Sequence, residues 1–157
     1  DTYNFSIGQG DLLATPLQIL RFITMIAKDG AVPDMRLIKD KEYAHRFMKQ
    51  YTFPNVPLPK EYFRIVKDGL ELGAKIGTAQ GLSGLGVSFA GKTGTAEIGN
   101  GRVNSWFMGY SPSSSPRLSL ALVLESGDEK NLVGSVSASR EFMQWVIKNR
   151  PEYFQSY

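Results

Sequence analysis

The sequence predicts an α+β fold in which an antiparallel β-sheet is flanked by helices. A strand–turn–strand pattern over residues 88–110 and an apolar run from Leu118 to Leu124 predict the sheet. Apolar residues at helical spacing in three other segments predict the helices. Because the strands follow one another directly instead of alternating with helices, an antiparallel sheet covered by helices is the expected architecture.

The first two predicted helices lie before the strands. The first begins at Thr15-Pro16, because threonine caps free amides and proline is tolerated in the first turn, and it should end at Gly30. The second covers Lys60–Lys75. The side chains expected to face the core are Leu17, Leu20, Ile23, Thr24 and Ala27 in the first helix, and Phe63, Val66, Leu70 and Ala74, widened by Tyr62, Ile65 and Leu72, in the second. A short strand is predicted between them at Val32–Lys39.

The predicted hairpin is centred on Asn100-Gly101, two residues that tolerate the positive φ angles of hairpin turns. The strand before this turn is rich in small residues from Gly91 to Ala96, which suggests that a ligand approaches its backbone closely. The strand after it alternates up to Tyr110, and Trp106 and Tyr110 are expected to be core aromatics. Leu118–Glu125 should pair next to it, giving three antiparallel strands in sequence order.

The last predicted helix covers Ser135–Asn149 and ends before Pro151. Its sheet-facing side chains are expected to be Val136, Ser139, Phe142, Met143, Trp145 and Val146. The residues between the second helix and the hairpin, 77–87, are glycine-rich and predict a flexible connector.

The composition excludes several classes of protein. The chain has 157 residues, enough for one domain with a core, and its 42% hydrophobic and 21% charged residues are ordinary for a globular protein. The net charge is only +3 and the basic residues are scattered, so no nucleic-acid partner is expected. The absence of cysteine excludes a disulfide framework and a thiolate metal site, and we expect no metal and no cofactor.

One literal motif match favours a nucleotide hydrolase. Residues Gly86–Thr93 satisfy the P-loop pattern G-x-x-x-x-G-K-[ST]. A P-loop needs a strand before the glycine-rich loop and a helix after it, whose N-terminal amides hold the phosphates. Because the flanking segments are glycine-rich on both sides, neither element is predicted, and the P-loop stays a minor alternative.

Lys92-Thr93-Gly94 fits the strand context better, because it is similar to the third motif of penicillin-binding proteins and serine β-lactamases. Three segments in the same chain order resemble class B penicillin-binding proteins: SIGQGDLLATPLQ (6–18), AGKTGTAE (90–97) and NSWFMGYSP (104–112). The resemblance is strongest to the elongation-type members of that family. It implies that residues 1–157 are the C-terminal part of a transpeptidase domain, with a five-stranded sheet between helices.

The resemblance also implies the chemistry. In a peptidoglycan D,D-transpeptidase, the backbone N–H of Thr95 would be an oxyanion-hole donor, and the Thr93 and Thr95 hydroxyls would hold the carboxylate of a D-Ala-D-Ala stem peptide or a β-lactam. Lys92 would supply positive charge and assist proton transfer, and Gly94 would let the substrate approach the backbone. The implied location is the extracytoplasmic face of the bacterial inner membrane, with cell-wall elongation proteins as partners and a membrane anchor outside this chain.

Two departures from the family pattern limit this expectation. No serine in the sequence has a lysine three positions later, and none has an asparagine two positions later, so the nucleophile motif and the second motif are both missing. The isolated chain is therefore expected to be inactive, with the nucleophile in a missing N-terminal part. A non-catalytic β-lactam sensor or scaffold of the same fold stays open, and Lys92 could simply protect a strand edge. Gln9 is expected to be structural, and His45 is not expected to be a catalytic base.

Overall fold

The structure, a computed structural model, describes residues 2–3, 8, 12–35, 37, 54–130 and 134–154. The elements along these ranges follow the predicted order and confirm the α+β class: α1 (Pro16–Ala27), α2 (Lys60–Lys75), β1 (Ala90–Gly99), β2 (Arg102–Ser111), β3 (Leu118–Asp128) and α3 (Ser135–Asn149). Short 3-10 helices lie at Gln80–Leu82 and Pro151–Tyr153. Within the described ranges, no helix has the length and apolar character needed to cross a membrane.

The predicted strand Val32–Lys39 is not found in residues 32–35, and its second half lies mostly outside the described residues. At residues 32 and 33, the hydrogen bonds to the backbone come from side chains and not from a neighbouring strand. The Val32 amide donates to Oδ1 of Asn55 at 3.2 Å, and the Pro33 carbonyl accepts from Nε of Arg21 at 3.1 Å. Proline also lacks the amide that a sheet ladder requires. Gln9 and His45 lie outside the described residues as well.

The strands form an antiparallel sheet in sequence order, with β2 between β1 and β3. Asn100 and Gly101 connect the first two strands with φ angles of 53° and 68°. Gly99 is paired with Arg102 across this turn. Two positive φ angles between paired residues are what a two-residue hairpin turn needs to match the twist of its strands, so the predicted hairpin is confirmed.

Helix α1 packs on the face of the sheet that carries Ala90 and Tyr110, and helix α2 contributes Leu70 to the core on this face and Ala74 to the core on the other. Helix α1 begins as predicted, with a capping box in which the Gln18 amide donates to Oγ1 of Thr15 at 3.3 Å and the Thr15 amide donates to Oε1 of Gln18 at 2.8 Å. Leu17 was expected in the core, but it lies about 120° around the helix from Ile23 and is exposed. The buried cluster on this face is Ile23, Ile26, Ala27, Leu70, Ala90 and Tyr110.

Helix α3 packs on the opposite face of the sheet, where the side chain of Phe107 lies. The buried cluster there is Ala74, Ala79, Leu82, Phe89, Phe107 and Met143. The prediction that Phe142 and Trp145 face the sheet is wrong, because 46% and 57% of their surfaces are exposed. The residues of α3 that are buried are Ser135, Ser139, Met143 and Val146, and Trp145 lies about 120° around the helix from Ser139.

Helix α2 has the predicted bounds, but a narrower buried stripe than predicted. Phe63, Leu70 and Ala74 are buried. Val66, which was expected in the stripe, is largely exposed, and so are the side chains that were expected to widen it: Tyr62, Ile65 and Leu72. The helix lies close against β1, because a Cβ on Gly73 would come within 2.8 Å of the Gly91 carbonyl oxygen. Small residues at this crossing therefore allow the backbones of α2 and β1 to approach each other.

Candidate active site

The four predicted site residues, Lys92 to Thr95, lie in the middle of strand β1. They are paired with β2 in the register Lys92 with Met108, Thr93 with Phe107, Gly94 with Trp106 and Thr95 with Ser105. Strand β1 is at the end of the sheet order, so its outer edge has no strand partner among the described residues. The site residues therefore lie on an edge strand, the kind of strand alongside which an extended peptide can bind.

This placement contradicts the P-loop alternative. Lys92 and Thr93 belong to a strand that continues to Gly99, and Gly86 lies in the loop before that strand. A P-loop places its Gly-Lys-Thr step at the start of a helix, where amide groups converge on phosphate. In the described part of the chain, the next helix after Thr93 begins at Ser135, so these residues cannot form that anion site.

Lys92 is exposed, and its Nζ donates to the carbonyl oxygen of Thr93 at 2.7 Å. The ammonium group is therefore held beside the strand and close to the next residue of the motif. A lysine ammonium has three donors, and the carbonyl uses one of them. This arrangement puts a cationic donor next to the position where an anionic group would meet Thr93.

Thr93 lies on the other face of β1, half-buried, and its hydroxyl is hydrogen-bonded to the hydroxyl of Thr78, with 2.6 Å between the oxygens. Sequence reasoning missed Thr78, because the two threonines are separated by 15 positions in the chain. No local pattern marks Thr78. Only the folding of the connector against β1 brings it to the Lys-Thr-Gly segment.

The connector that carries Thr78 is not the flexible segment that its glycines predict. Ala79 and Leu82 are fully buried, and the Ala79 amide donates to the Gly73 carbonyl at 3.1 Å. Nη1 of Arg140 donates to the carbonyl oxygens of Gly81 at 2.5 Å and Ser83 at 2.9 Å. The buried side chains of Ala79 and Leu82 and the hydrogen bonds from Arg140 therefore fix the connector. Their stabilising free energy exceeds the entropy cost of ordering its glycines.

The glycines of the hairpin have two different roles. A Cβ on Gly91 would lie 2.7 Å from the Phe107 ring, so a side chain of the hairpin itself makes the close approach there. A Cβ on Gly94 would meet only the Cβ of Trp106, at an ordinary 3.5 Å. Gly94 is exposed, and the packing of the described residues does not require a glycine at this position. Packing within the hairpin therefore explains the glycine at position 91, whereas the close approach of a ligand at Gly94 stays a prediction.

Tyr110 is a core aromatic as predicted, with 2% of its surface exposed, whereas Trp106 is only half-buried. Burial raises the pKa of Tyr110 to about 12, and the negative charges of Glu71, Asp29 and Asp68 act in the same direction. The Tyr110 hydroxyl has no hydrogen-bond partner within the described part of the chain. Its phenol is therefore held neutral inside the core and does not belong to the exposed site.

Comparison with known proteins identifies the family. A family model described as the penicillin binding protein transpeptidase domain matches residues 1–144. The peptidoglycan D,D-transpeptidase MrdA of Haemophilus influenzae is 26% identical over an alignment of 180 positions, which covers 100% of this chain and 27% of that protein. Penicillin-binding protein H of Bacillus subtilis is 30% identical over 158 positions, covering 87% of this chain and 22% of that protein.

The fold agrees with a solved structure of the same class. Penicillin-binding protein A from M. tuberculosis, solved as an imipenem acyl-enzyme complex, superposes with a TM-score of 0.69 at 22% identity, over 91% of this chain and 33% of that chain. The chain spans about a quarter of the length of the relatives that it matches. Because the family match extends over most of the 157 residues, this chain belongs to the penicillin-binding protein transpeptidase family.

Proposed function

We propose that this chain is the part of a peptidoglycan D,D-transpeptidase that supplies the Lys-Thr-Gly strand of the acyl-transfer site. The observation that carries the proposal is the position of Lys92–Thr95 on an edge strand of a chain that belongs to the transpeptidase family. The nucleophilic serine would come from a part of the protein outside these 157 residues, since the sequence contains no serine followed three positions later by lysine.

The proposed reaction has two acyl-transfer steps. The serine oxygen attacks the carbonyl carbon of the penultimate D-alanine, and the terminal D-alanine leaves after its nitrogen takes up a proton. An amine of a second stem peptide then attacks the ester carbonyl and releases the serine, which regains a proton. Each attack places negative charge on the carbonyl oxygen, and we assign the Thr95 amide as one donor to that oxygen.

Thr93 and Thr95 are assigned to the terminal carboxylate of the stem peptide. Residues two apart on a strand point to the same face, and their Cβ atoms lie about 7 Å apart. A carboxylate that accepts a hydrogen bond of about 2.7 Å at each of its two oxygens fits between two such hydroxyl groups. Lys92 adds a positive charge near this carboxylate, which supports binding of a substrate with a free C-terminus.

A β-lactam presents the same two features, a reactive carbonyl and a nearby carboxylate, so we propose that the complete protein also binds β-lactams. The similar M. tuberculosis protein forms an acyl-enzyme complex with imipenem, which supports this assignment. We place the site on the extracytoplasmic face of the bacterial inner membrane, where peptidoglycan is cross-linked, and we propose that the partners of the protein are cell-wall elongation proteins.

The test uses the full-length protein that contains this chain. We expect a fluorescent penicillin to label it covalently, and we expect it to release D-alanine from a peptide ending in D-Ala-D-Ala. Labelling without any release of D-alanine would support a non-catalytic β-lactam sensor instead. A protein that shows neither labelling nor release would refute the proposed function.

A further inference from the structure

We propose that Thr78 is a positioning residue that orients the hydroxyl of Thr93 toward the carboxylate of the substrate. The two hydroxyl oxygens lie 2.6 Å apart, which is a short hydrogen bond between neutral groups. The inference rests on the proposed function, in which Thr93 holds the terminal carboxylate of a stem peptide or a β-lactam. It adds a residue from outside the Lys-Thr-Gly segment to that carboxylate site.

The direction of this hydrogen bond determines whether Thr93 can bind an anion. Each hydroxyl has one proton, so only one of the two threonines donates in the shared bond. If Thr93 donates to Thr78, only the lone pairs of Thr93 remain, and these repel a carboxylate. If Thr78 donates, the proton of Thr93 is available to the carboxylate. Binding of the anion therefore selects the order Thr78 to Thr93 to carboxylate, in which each bond polarises the next.

The position of Thr78 is fixed before a ligand arrives. The next residue, Ala79, is fully buried, and its amide donates to the Gly73 carbonyl at the end of helix α2. On the other side of the connector, Arg140 holds the carbonyl oxygens of Gly81 and Ser83. A donor that is already held in place avoids the entropy loss of ordering a loop on binding.

Substitution of Thr78 distinguishes a purely structural role from a positioning role, because only the positioning role predicts a loss confined to the recognition of a carboxylate. Both hydroxyl groups of the Thr78–Thr93 pair are accessible to solvent, so water replaces the lost bond when Thr78 is substituted in the absence of ligand. Thr78→Val keeps the shape of the side chain and removes the hydroxyl. Its effect should therefore be confined to the recognition of a carboxylate.

The experiment measures the second-order acylation rate of the full-length protein with a fluorescent penicillin, and with the same compound blocked as its methyl ester. We expect Thr78→Val to slow the reaction with the free acid roughly fivefold, which is the usual value of one hydrogen bond. The rate with the ester should change by less than about twofold. Thr78→Ser should restore the rate with the acid. Ser83→Ala, which removes another exposed hydroxyl from the same connector, should react as the wild type does.

A double-mutant cycle separates the possible outcomes. In a Thr93→Val background, adding Thr78→Val should cause no further loss, because the hydroxyl on which Thr78 acts is gone. Equal slowing in both backgrounds, or equal slowing of acid and ester, would overturn the positioning role. If Thr93→Val slows the wild-type reaction but Thr78→Val does not, the inference about Thr78 fails while the proposed function stands. A wild-type protein that penicillin does not label would overturn both.

Discussion

Gly91 and Gly109 lie directly opposite each other in the β1–β2 pair, and the Phe107 ring occupies the space above both. A Cβ on Gly91 would lie 2.7 Å from that ring, and a Cβ on Gly109 would lie 2.6 Å from the Ala90 carbonyl oxygen. The fully buried Phe107 side chain belongs to the core cluster that helix α3 covers. Because neither glycine has a side chain, the Phe107 ring of the core packs directly against the strand that carries the candidate site.

Alanine at either paired glycine should destabilise the protein. We expect Gly91→Ala and Gly109→Ala each to lower the free energy of unfolding by about 2 kcal/mol, because the added methyl group overpacks a filled space. Urea unfolding of the full-length protein measures the change. Gly94→Ala is the matched control in the same hairpin, and its unfolding free energy should change by less than about 0.5 kcal/mol.

Gly94→Ala should nevertheless slow acylation by penicillin, roughly tenfold, because its methyl group would lie where the proposed substrate approaches the strand. Slower acylation without a loss of stability would distinguish the role of Gly94 from the packing role of Gly91 and Gly109. An acylation rate equal to that of the wild type would contradict the assignment of Gly94 to the substrate side of β1.

Lys92→Ala should reduce acylation by about a hundredfold, since it removes a positive charge from the proposed site, where negative charge would bind and develop. The side chain is exposed, so the melting temperature should stay within about 2 °C of the wild-type value. Lys148→Ala, in the last turn of helix α3, removes another exposed charge and is the control. If penicillin labels the Lys92 variant normally, Lys92 has no role in acylation and only protects the edge of the strand.

Tyr110 should make the protein sensitive to alkaline pH. Its pKa is raised to about 12 in the folded state, chiefly by burial, from 10.0 for the free side chain. Folding therefore favours the neutral phenol: this contribution is fully present below pH 10.0 and is lost as the pH rises toward 12. Unfolding free energies measured between these pH values should fall for the wild type.

Tyr110→Phe should reduce the fall in unfolding free energy at alkaline pH. At pH 7 it should raise the unfolding free energy by about 1 kcal/mol, because the buried hydroxyl has no partner within the described residues. Tyr62→Phe removes a half-exposed hydroxyl from helix α2 and is the control. A Tyr110 variant that loses stability at pH 7 would show that the hydroxyl forms a bond important to the fold.

Arg140→Met should loosen the connector that holds Thr78. It removes two hydrogen bonds from a charged donor to the carbonyl oxygens of Gly81 and Ser83. We expect amide hydrogen exchange in residues 77–87 to accelerate about tenfold, while exchange in β2 stays unchanged. Arg64→Met, on the exposed side of helix α2, is the control. Unchanged exchange in the connector would show that its buried residues alone hold it.

Local chemistry in the sequence was sufficient for much of the fold. Asn100 and Gly101 specify a hairpin turn because both accept positive φ, and the turn is found at these residues. Thr15 and Pro16 specify the start of helix α1, and the bounds of α2 agree with the prediction. Backbone dihedral preferences and capping depend on neighbours in the chain, so sequence patterns report them directly.

Burial of individual side chains was predicted less well. Val66, Phe142 and Trp145 fit the apolar stripes of their helices but are exposed, while Ser135, which was not expected to face the sheet, is buried. Helical spacing gives the direction of a side chain, but the width of the buried stripe depends on how the helix lies on the sheet. That orientation is decided by contacts such as the close crossing of Gly73 and Gly91, which no local pattern contains.

The sequence by itself determined the α+β class, the hairpin and the strand that carries Lys92–Thr95, because these follow from interactions between near neighbours in the chain. Only the tertiary structure decided that Thr78 meets Thr93 and that Arg140 fixes the connector between them. Those contacts join residues 15 and 59 positions apart. They form because burial of Ala79 and Leu82 draws the connector onto the sheet, and the free energy of that burial belongs to the whole core.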